Sequence, residues 1–147
     1  MFVGIDPGWS GGIAYIDPTG FYRAVAIHGM TPHDVCSWME NNLHNVQHVA
    51  LEKVHAMPKQ GVSSSFNFGR CYGMLEAFLV AAAVPYDLVT PQRWQRDLDC
   101  LTRGKKNVTK LRAQQLFPKI KVTHAIADAL VLAEWCRGHY AVSGGEE

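Results

Sequence analysis

Three carboxylates stand at points of the sequence where a chemical site can form. Asp6 ends an apolar run and precedes a Pro-Gly turn signal, and Glu52 ends a second apolar run. Asp128 falls in the opening turns of a predicted helix. Buried carboxylates are costly without a cation or donors, so three that converge indicate bound metal. Such ligands suit Mg²⁺ or Mn²⁺, and a two-ion site stabilises both oxygens of an in-line displacement at phosphorus.

The net charge of +1 conceals a strong asymmetry. Residues 90–121, the cationic segment, have nine basic and two acidic side chains and a net charge of +7, whereas the rest of the chain carries −6. Such a segment indicates a polyanionic partner, although it can also be only a solvated surface. Together with the carboxylates, it predicts phosphodiester hydrolysis in nucleic acid. The predicted DNA contacts, including two in the loop after Glu52, are His55, Lys59, Arg93, Lys105, Lys106 and Lys110.

Length and composition limit the possible classes of protein. The chain has 147 residues and 48% hydrophobic content, which suits one domain with a real core. We place this domain at residues 1–137 and a flexible tail at 138–147. The four cysteines show neither a disulfide framework nor zinc-ligand spacing, which favours a reducing compartment. No membrane segment, P-loop or nucleotide cofactor is expected.

Apolar patterns and turn signals predict an α/β domain that begins with three antiparallel strands. A later strand ends near Glu52, and a small, polar segment at 55–66 is predicted to be a loop. The following helix has Gly69 and Gly73 on a thin flank, which can face either the sheet or a partner subunit. Predicted strands cover 2–6, 10–16, 21–27, 46–54 and part of 85–91, and predicted helices begin at Thr31 and cover 68–84, a short segment around Trp94, 108–117 and 123–136.

Three blocks, at 4–8 (GIDPG), 51–54 (LEKV) and 124–130 (HAIADAL), resemble the signature blocks of RuvC-type Holliday junction resolvases in the RNase H-like superfamily. In style they are most similar to the compact members encoded by bacteriophages. The resemblance implies an RNase H-like fold with a mixed five-stranded sheet flanked by helices. It also implies a homodimer, formed through the helix with Gly69 and Gly73, that makes Mg²⁺-dependent paired cuts in four-way DNA junctions. The expected location is the cytoplasm of a bacterium or of a phage-infected host cell.

The same resemblance assigns Asp6, Glu52 and Asp128 to the catalytic, metal-binding positions. Bacterial relatives often have a further Asp or His three residues before the last acid, where this chain has Ala125. The nearest substitute is His124, which lies one helical turn before Asp128 and is predicted to ligate metal, to protonate the leaving oxygen, or only to pair with Asp128. His55 occupies the position of a wedge aromatic in bacterial resolvases and is expected to stack more weakly on a base.

Other classes of function remain open at the level of sequence. A strand followed by Asp-x-Gly and a glycine-rich hairpin also occurs in actin-like and sugar-kinase-like proteins, but these need two such lobes and this chain supplies one. A non-catalytic DNA-binding protein of the same fold is a second alternative. A nuclease that acts on flaps, replication forks or RNA–DNA hybrids is a third.

Overall fold

The structure is a computed structural model that describes residues 1–55 and 59–141. After an initial three-stranded meander, helices and strands alternate up to the fifth strand, and three consecutive helices follow. In chain order they are β1 (Phe2–Asp6), β2 (Gly12–Ile16), β3 (Tyr22–Ala26), α1 (Pro32–Asn42), β4 (His48–Glu52), α2 (Val62–Ala81), β5 (Tyr86–Val89), α3 (Pro91–Asp97), α4 (Asn107–Leu116) and α5 (His124–Tyr140).

The five strands form one mixed sheet in the order β3-β2-β1-β4-β5. The first three strands pair antiparallel, as a meander joined by short turns, whereas β1 pairs parallel with β4 and β4 parallel with β5. Parallel neighbours require a crossover, and α1 and α2 supply the two crossovers. The predicted mixed sheet flanked by helices is therefore confirmed.

Each face of the sheet packs against different helices. Alternate residues of a strand point to opposite faces, so Val3 and Ile5 of β1 pack with the inner sides of α1 and α2. Phe2 points the other way and belongs to the cluster built around α5. Because both faces of β1 and β4 are covered, these strands are nearly continuous apolar runs, and the carboxylates at their ends stand out.

Glycines on the sheet allow α5 to pack directly against it. A Cβ atom at Gly4 of β1 would lie 2.2 Å from the carbonyl oxygen of Ala129, and one at Gly12 of β2 would lie 2.5 Å from that of Ala125. Both distances are far below van der Waals contact with backbone atoms, so no larger residue fits without moving the helix. This close packing fixes the depth of α5 over the sheet.

The bounds of two predicted helices differ by several residues from those in the structure. α2 begins at Val62, so the segment predicted as a loop to residue 66 is too long. Serine is a modest helix former, but the buried side of α2, at Cys71, Leu75 and Leu79, stabilises the helix through tertiary packing. α5 continues to Tyr140 rather than ending near 136, because the Tyr140 ring stacks on His48 at 3.7 Å between centroids.

Parts of the predicted loop and tail, 56–58 and 142–147, lie outside the described residues.

The prediction of a helix start at Thr31 is confirmed, with a reciprocal capping box between Thr31 and Asp34. Within the described ranges, no helix combines the length and the apolar character needed to cross a membrane.

Candidate active site

Parallel pairing brings two of the predicted carboxylates together. Ile5 of β1 is in register with Leu51 of β4, so Asp6 and Glu52 follow at the same edge of the sheet. Both belong to the alternating set that faces α5, the set that includes Gly4. Asp128 immediately precedes Ala129, whose carbonyl group lies over Gly4. Two strand ends and one helix therefore direct three carboxylates toward one place.

Two of the carboxylates have hydrogen-bond partners that sequence reasoning missed. Trp94 Nε1 donates to Glu52 Oε2 at 3.0 Å, and the Thr109 hydroxyl hydrogen-bonds the carboxylate of Asp128. Glu52 and Thr109 are 7% and 2% exposed, and Trp94 is completely buried. The available signal for Thr109 was its place on the inner side of α4, one turn before the buried Ala113.

Burial dominates the electrostatics of the pair at the strand ends. The pKa of Glu52 is raised to about 7, first by burial and then by the nearby Asp128 charge, while the Trp94 hydrogen bond opposes the change. The pKa of Asp6 also lies well above its ordinary value, first because of burial and then because of the charges of Glu52 and Asp128. The charge of Asp128 thus disfavours ionisation of both Asp6 and Glu52.

Of the three carboxylates, Asp128 has the most neighbouring groups that stabilise its ionised form. Burial raises its pKa, but the Thr109 hydrogen bond and the neighbouring His124 and Lys106 favour the ionised form. His124 is the first residue of α5 and is exposed, one turn from Asp128, as predicted. The predicted neighbourhood of His124 and Asp128 is therefore present in the structure.

A cavity of about 500 Å³ opens at this site. Its walls present carboxylate, imidazole, ammonium, hydroxyl and amide groups. The lining residues are Asp6, Ser10, Gln95, Thr102, Gly104, Lys106, Thr109, His124, Ala125, Ala127 and Asp128. An anionic group that enters it meets the Lys106 ammonium group beside the acids, while Glu52 lies buried against Trp94.

The donor chemistry of the site fits a hard divalent cation. Asp6, Glu52 and Asp128 supply oxygen ligands, and their mutual repulsion and burial are terms that a bound cation would offset. Within residues 1–55 and 59–141, however, no three His, Cys, Asp or Glu side chains are arranged so that they could hold a metal ion. The carboxylates are near one another without forming a ligand cage.

The six predicted DNA contacts fall into three groups. Lys105 and Lys106 are exposed at the entrance to α4, where they line a neighbouring cavity of about 720 Å³ together with His124, and Lys110 is half-buried one turn further on. Arg93 instead lies over the Trp135 ring, with its guanidinium carbon 5.2 Å from the ring centroid. The remaining two, exposed on either side of residues 56–58, are His55 and Lys59.

Glu52 should make the stability of the metal-free protein depend on pH. Its pKa is about 7 in the folded protein and ordinarily 4.5, so between these values the folded state holds a proton that the unfolded chain has released. The free energy of unfolding should fall as pH rises through this window, by up to about 3 kcal/mol from this group alone. Glu52→Gln should flatten the profile, measured by urea unfolding in EDTA.

The matched control for this measurement is Glu40→Gln. Glu40 is an exposed carboxylate on α1, outside the cavity, so its removal should leave the slope of stability against pH unchanged. An equal slope in wild type and Glu52→Gln would show that Glu52 is ionised in the folded protein across this range.

Solved structures of other proteins share this architecture. No protein-family model matches the chain, and no curated protein matches it significantly. Among solved structures, Thermus thermophilus RuvC in complex with a Holliday junction substrate is similar at a TM-score of 0.64 and 18% identity, over 97% of this chain and 95% of that chain. A second Thermus thermophilus RuvC structure gives 0.63 and 20% over the same shares. The predicted resemblance is thereby confirmed for the architecture: this chain has the RNase H-like fold of RuvC.

Proposed function

We propose that the protein is a divalent-metal-dependent endodeoxyribonuclease that resolves four-way DNA junctions by paired cuts. The observation that carries this proposal is the convergence of Asp6, Glu52 and Asp128 at one edge of an RNase H-like sheet, beside the cationic loop that enters α4. A protein of the same fold has been solved with a Holliday junction substrate. This likeness supports branched DNA as the substrate class.

In this proposal Asp6, Glu52 and Asp128 would supply oxygen ligands to Mg²⁺ or, as a substitute, Mn²⁺, after shifting from the metal-free arrangement, in which they form no ligand cage. The bound cation would activate water and stabilise charge on the reacting phosphate. Trp94 orients the Glu52 carboxylate through its 3.0 Å hydrogen bond, and Thr109 does the same for Asp128. These two donors reduce the motion of the ligands before the substrate arrives.

His124 and Lys106 serve the DNA side of the same cavity. Lys106 supplies a positive charge beside Asp128, which offsets the repulsion between the acids and an incoming phosphate. His124 lies on the cavity wall with a ring that can protonate the leaving oxygen or contribute a metal ligand. In the alternative without a catalytic role, His124 occupies the same position and only pairs with Asp128.

Removing any of the three acids should nearly abolish cleavage and spare binding. Asp6→Asn, Glu52→Gln and Asp128→Asn each delete a ligand and also reduce repulsion toward phosphate, so junction affinity should stay equal or increase. The measurement is Mg²⁺-dependent cleavage of a labelled four-way junction, with binding measured in EDTA. Glu40→Gln, on the exposed side of α1, is the control and should cleave normally.

Cleavage within a few-fold of wild type by one of these variants would remove that residue from the catalytic set. The same assay should include a flap, a fork, a linear duplex and an RNA–DNA hybrid. If one of these were cut in preference to the junction, the protein would still be a nuclease, but with that DNA as its substrate. Metal-independent binding without any cutting would instead favour a non-catalytic DNA-binding protein.

Lysines at the entrance to α4 should contact the DNA backbone. Neutralising Lys105, Lys106 and Lys110 should weaken binding to all DNA sequences alike and lower the slope of log affinity against log salt by about one for each lost phosphate contact. Lys119→Gln is the charge-matched control for Lys106→Gln. The backbone N–H of Lys119 donates a hydrogen bond to the Tyr22 hydroxyl, so Lys119 lies at the end of the sheet away from the acids.

Fluorescence anisotropy over a salt series measures the slope of log affinity against log salt for the wild type and for each variant. An equal slope in wild type and in the triple variant would identify these lysines as a solvated surface. An equal loss in Lys106→Gln and Lys119→Gln would place the DNA over the whole cationic segment instead of at the acids.

The two cuts of a junction require two sites related by two-fold symmetry, which a homodimer would supply. The outer side of α2 supports this part of the proposal. A Cβ atom at Gly69 or Gly73 would meet only open space, so the thin flank faces away from the protein's own sheet. Large apolar side chains continue this exposed stripe at Val62, Phe66 and Val80, which are 88%, 68% and 63% exposed.

Gly73→Leu should convert the dimer to monomers, because a bulky side chain prevents two α2 helices from approaching closely. The monomers should still bind linear DNA but should lose coordinated cutting of both junction strands. Light scattering and a supercoiled cruciform assay measure the two effects, and Gly138→Leu, at an open position on α5, is the matched control. A wild-type monomer that cuts symmetrically would contradict the dimer.

A further inference from the structure

A second cavity, the side pocket, lies at the same edge of the sheet as the carboxylates. It has a volume of about 590 Å³, within the range of small-molecule sites of roughly 300–1,000 Å³. Two walls come from the segments that directly follow β4 and β5, and the third comes from the first half of α2. The lining residues are Lys53, Val54, His55, Gln60, Phe68, Thr90, Pro91 and Gln92.

The walls of the side pocket are held by contacts that do not need a ligand. Backbone pairing continues one residue past β4, since the Lys53 N–H donates to the Val89 carbonyl at 2.7 Å. This bond fixes the spacing of the two segments that follow the strands. Trp9 Nε1 donates to the Asn67 carbonyl at 3.0 Å, which fastens the start of α2 to the turn after β1.

Phe68 is positioned by the glycine turn that follows Asp6. Gly8 has φ +117°, and a Cβ atom there would lie 3.1 Å from Phe68 Cε2, so the ring edge packs directly on the turn. Its ring centroid lies 6.3 Å from that of Tyr72, one turn along α2. The Phe68 ring is thus placed by the turn that directly follows Asp6, yet it lines a different cavity from Asp6.

The lining has the composition of a site for a flat heteroaromatic group. Phe68, Pro91 and Val54 supply apolar surface, while Thr90, Gln92 and Lys53 supply polar groups at the rim. Aromatic rings bind nucleobases by stacking regardless of sequence, and amide and hydroxyl groups hydrogen-bond base edges. A base inside a duplex cannot enter such a pocket, whereas an unpaired base can.

We propose that the side pocket receives one unpaired nucleobase of the DNA strand whose phosphate lies at the carboxylates. The inference rests on the proposed nuclease function, and continuity along the chain selects the occupant: Lys53 and Val54, which line the pocket, directly follow Glu52. This role differs from that predicted for His55, whose side chain would enter the DNA. Here the base enters the protein, and the pocket selects where a junction is cut.

The test combines an abasic scan with a change in the pocket. Four-way junctions carry a single abasic site at successive positions around the cut, and their affinities for the full-length wild-type protein are measured by anisotropy in EDTA. One position should show a loss of about tenfold, the size expected for one stacked base. In Phe68→Leu, which keeps apolar volume and removes the aromatic face, the unmodified junction should bind about tenfold more weakly and that abasic site should cost little more.

Two further variants make the result specific. Thr90→Val and Gln92→Ala alter the exposed rim and should reduce any preference among the four bases at the sensitive position, with folding confirmed by circular dichroism. Phe21→Leu removes an aromatic ring that is 58% exposed on the turn before β3, at the far end of the sheet, and should keep the wild-type abasic profile.

The outcomes separate this inference from the proposed function. The protein could cut the unmodified junction and yet show an abasic profile that is flat, or identical in wild type and Phe68→Leu. That result would contradict base binding in the side pocket and would still support the proposed nuclease function. A sensitive position that Phe21→Leu abolishes equally would also overturn it. Failure to bind and cut any branched DNA would overturn both.

Discussion

The close packing of α5 on the centre of the sheet is the constraint on which the site depends. Gly4 lies under Ala129 and Gly12 lies under Ala125, at distances that leave no room for a methyl group. Since Asp128 is the residue before Ala129, the same contact sets how near its carboxylate comes to that of Asp6. Interiors are close-packed and do not deform continuously, so a side chain at Gly4 would displace the helix and the carboxylate together.

The electrostatics of the site oppose the stability of the fold. The hydrophobic clusters on both faces of the sheet bury the strand ends, and burial raises the pKa values of Asp6 and Glu52. A protein under selection for stability alone would have apolar or amide groups there. In the metal-free protein the buried acids therefore lower the free energy of unfolding, and the hydrogen bonds from Trp94 and Thr109 limit that loss.

Local patterns predicted the strands that end at Asp6 and Glu52, because buried strands end where apolar residues end, and helical spacing predicted the helix that contains Asp128. The partners of these acids were not predictable in the same way. Trp94 is 42 residues from Glu52 along the chain, so their hydrogen bond depends on how α3 packs after β5. The start of α2 was also missed, because its serine-rich first turn has weak helical preference and tertiary contacts decide its conformation.

The two fixed ends of α5 restrict which changes of chain length evolution can make. At one end Asp128 faces the acids, and at the other Tyr140 stacks on His48 and donates to the Asp87 carboxylate. Each residue of an α-helix advances about 1.5 Å and turns about 100°. Insertion or deletion of a single residue between these two anchors would therefore rotate one of them out of place. Relatives should therefore conserve the spacing of twelve residues between Asp128 and Tyr140.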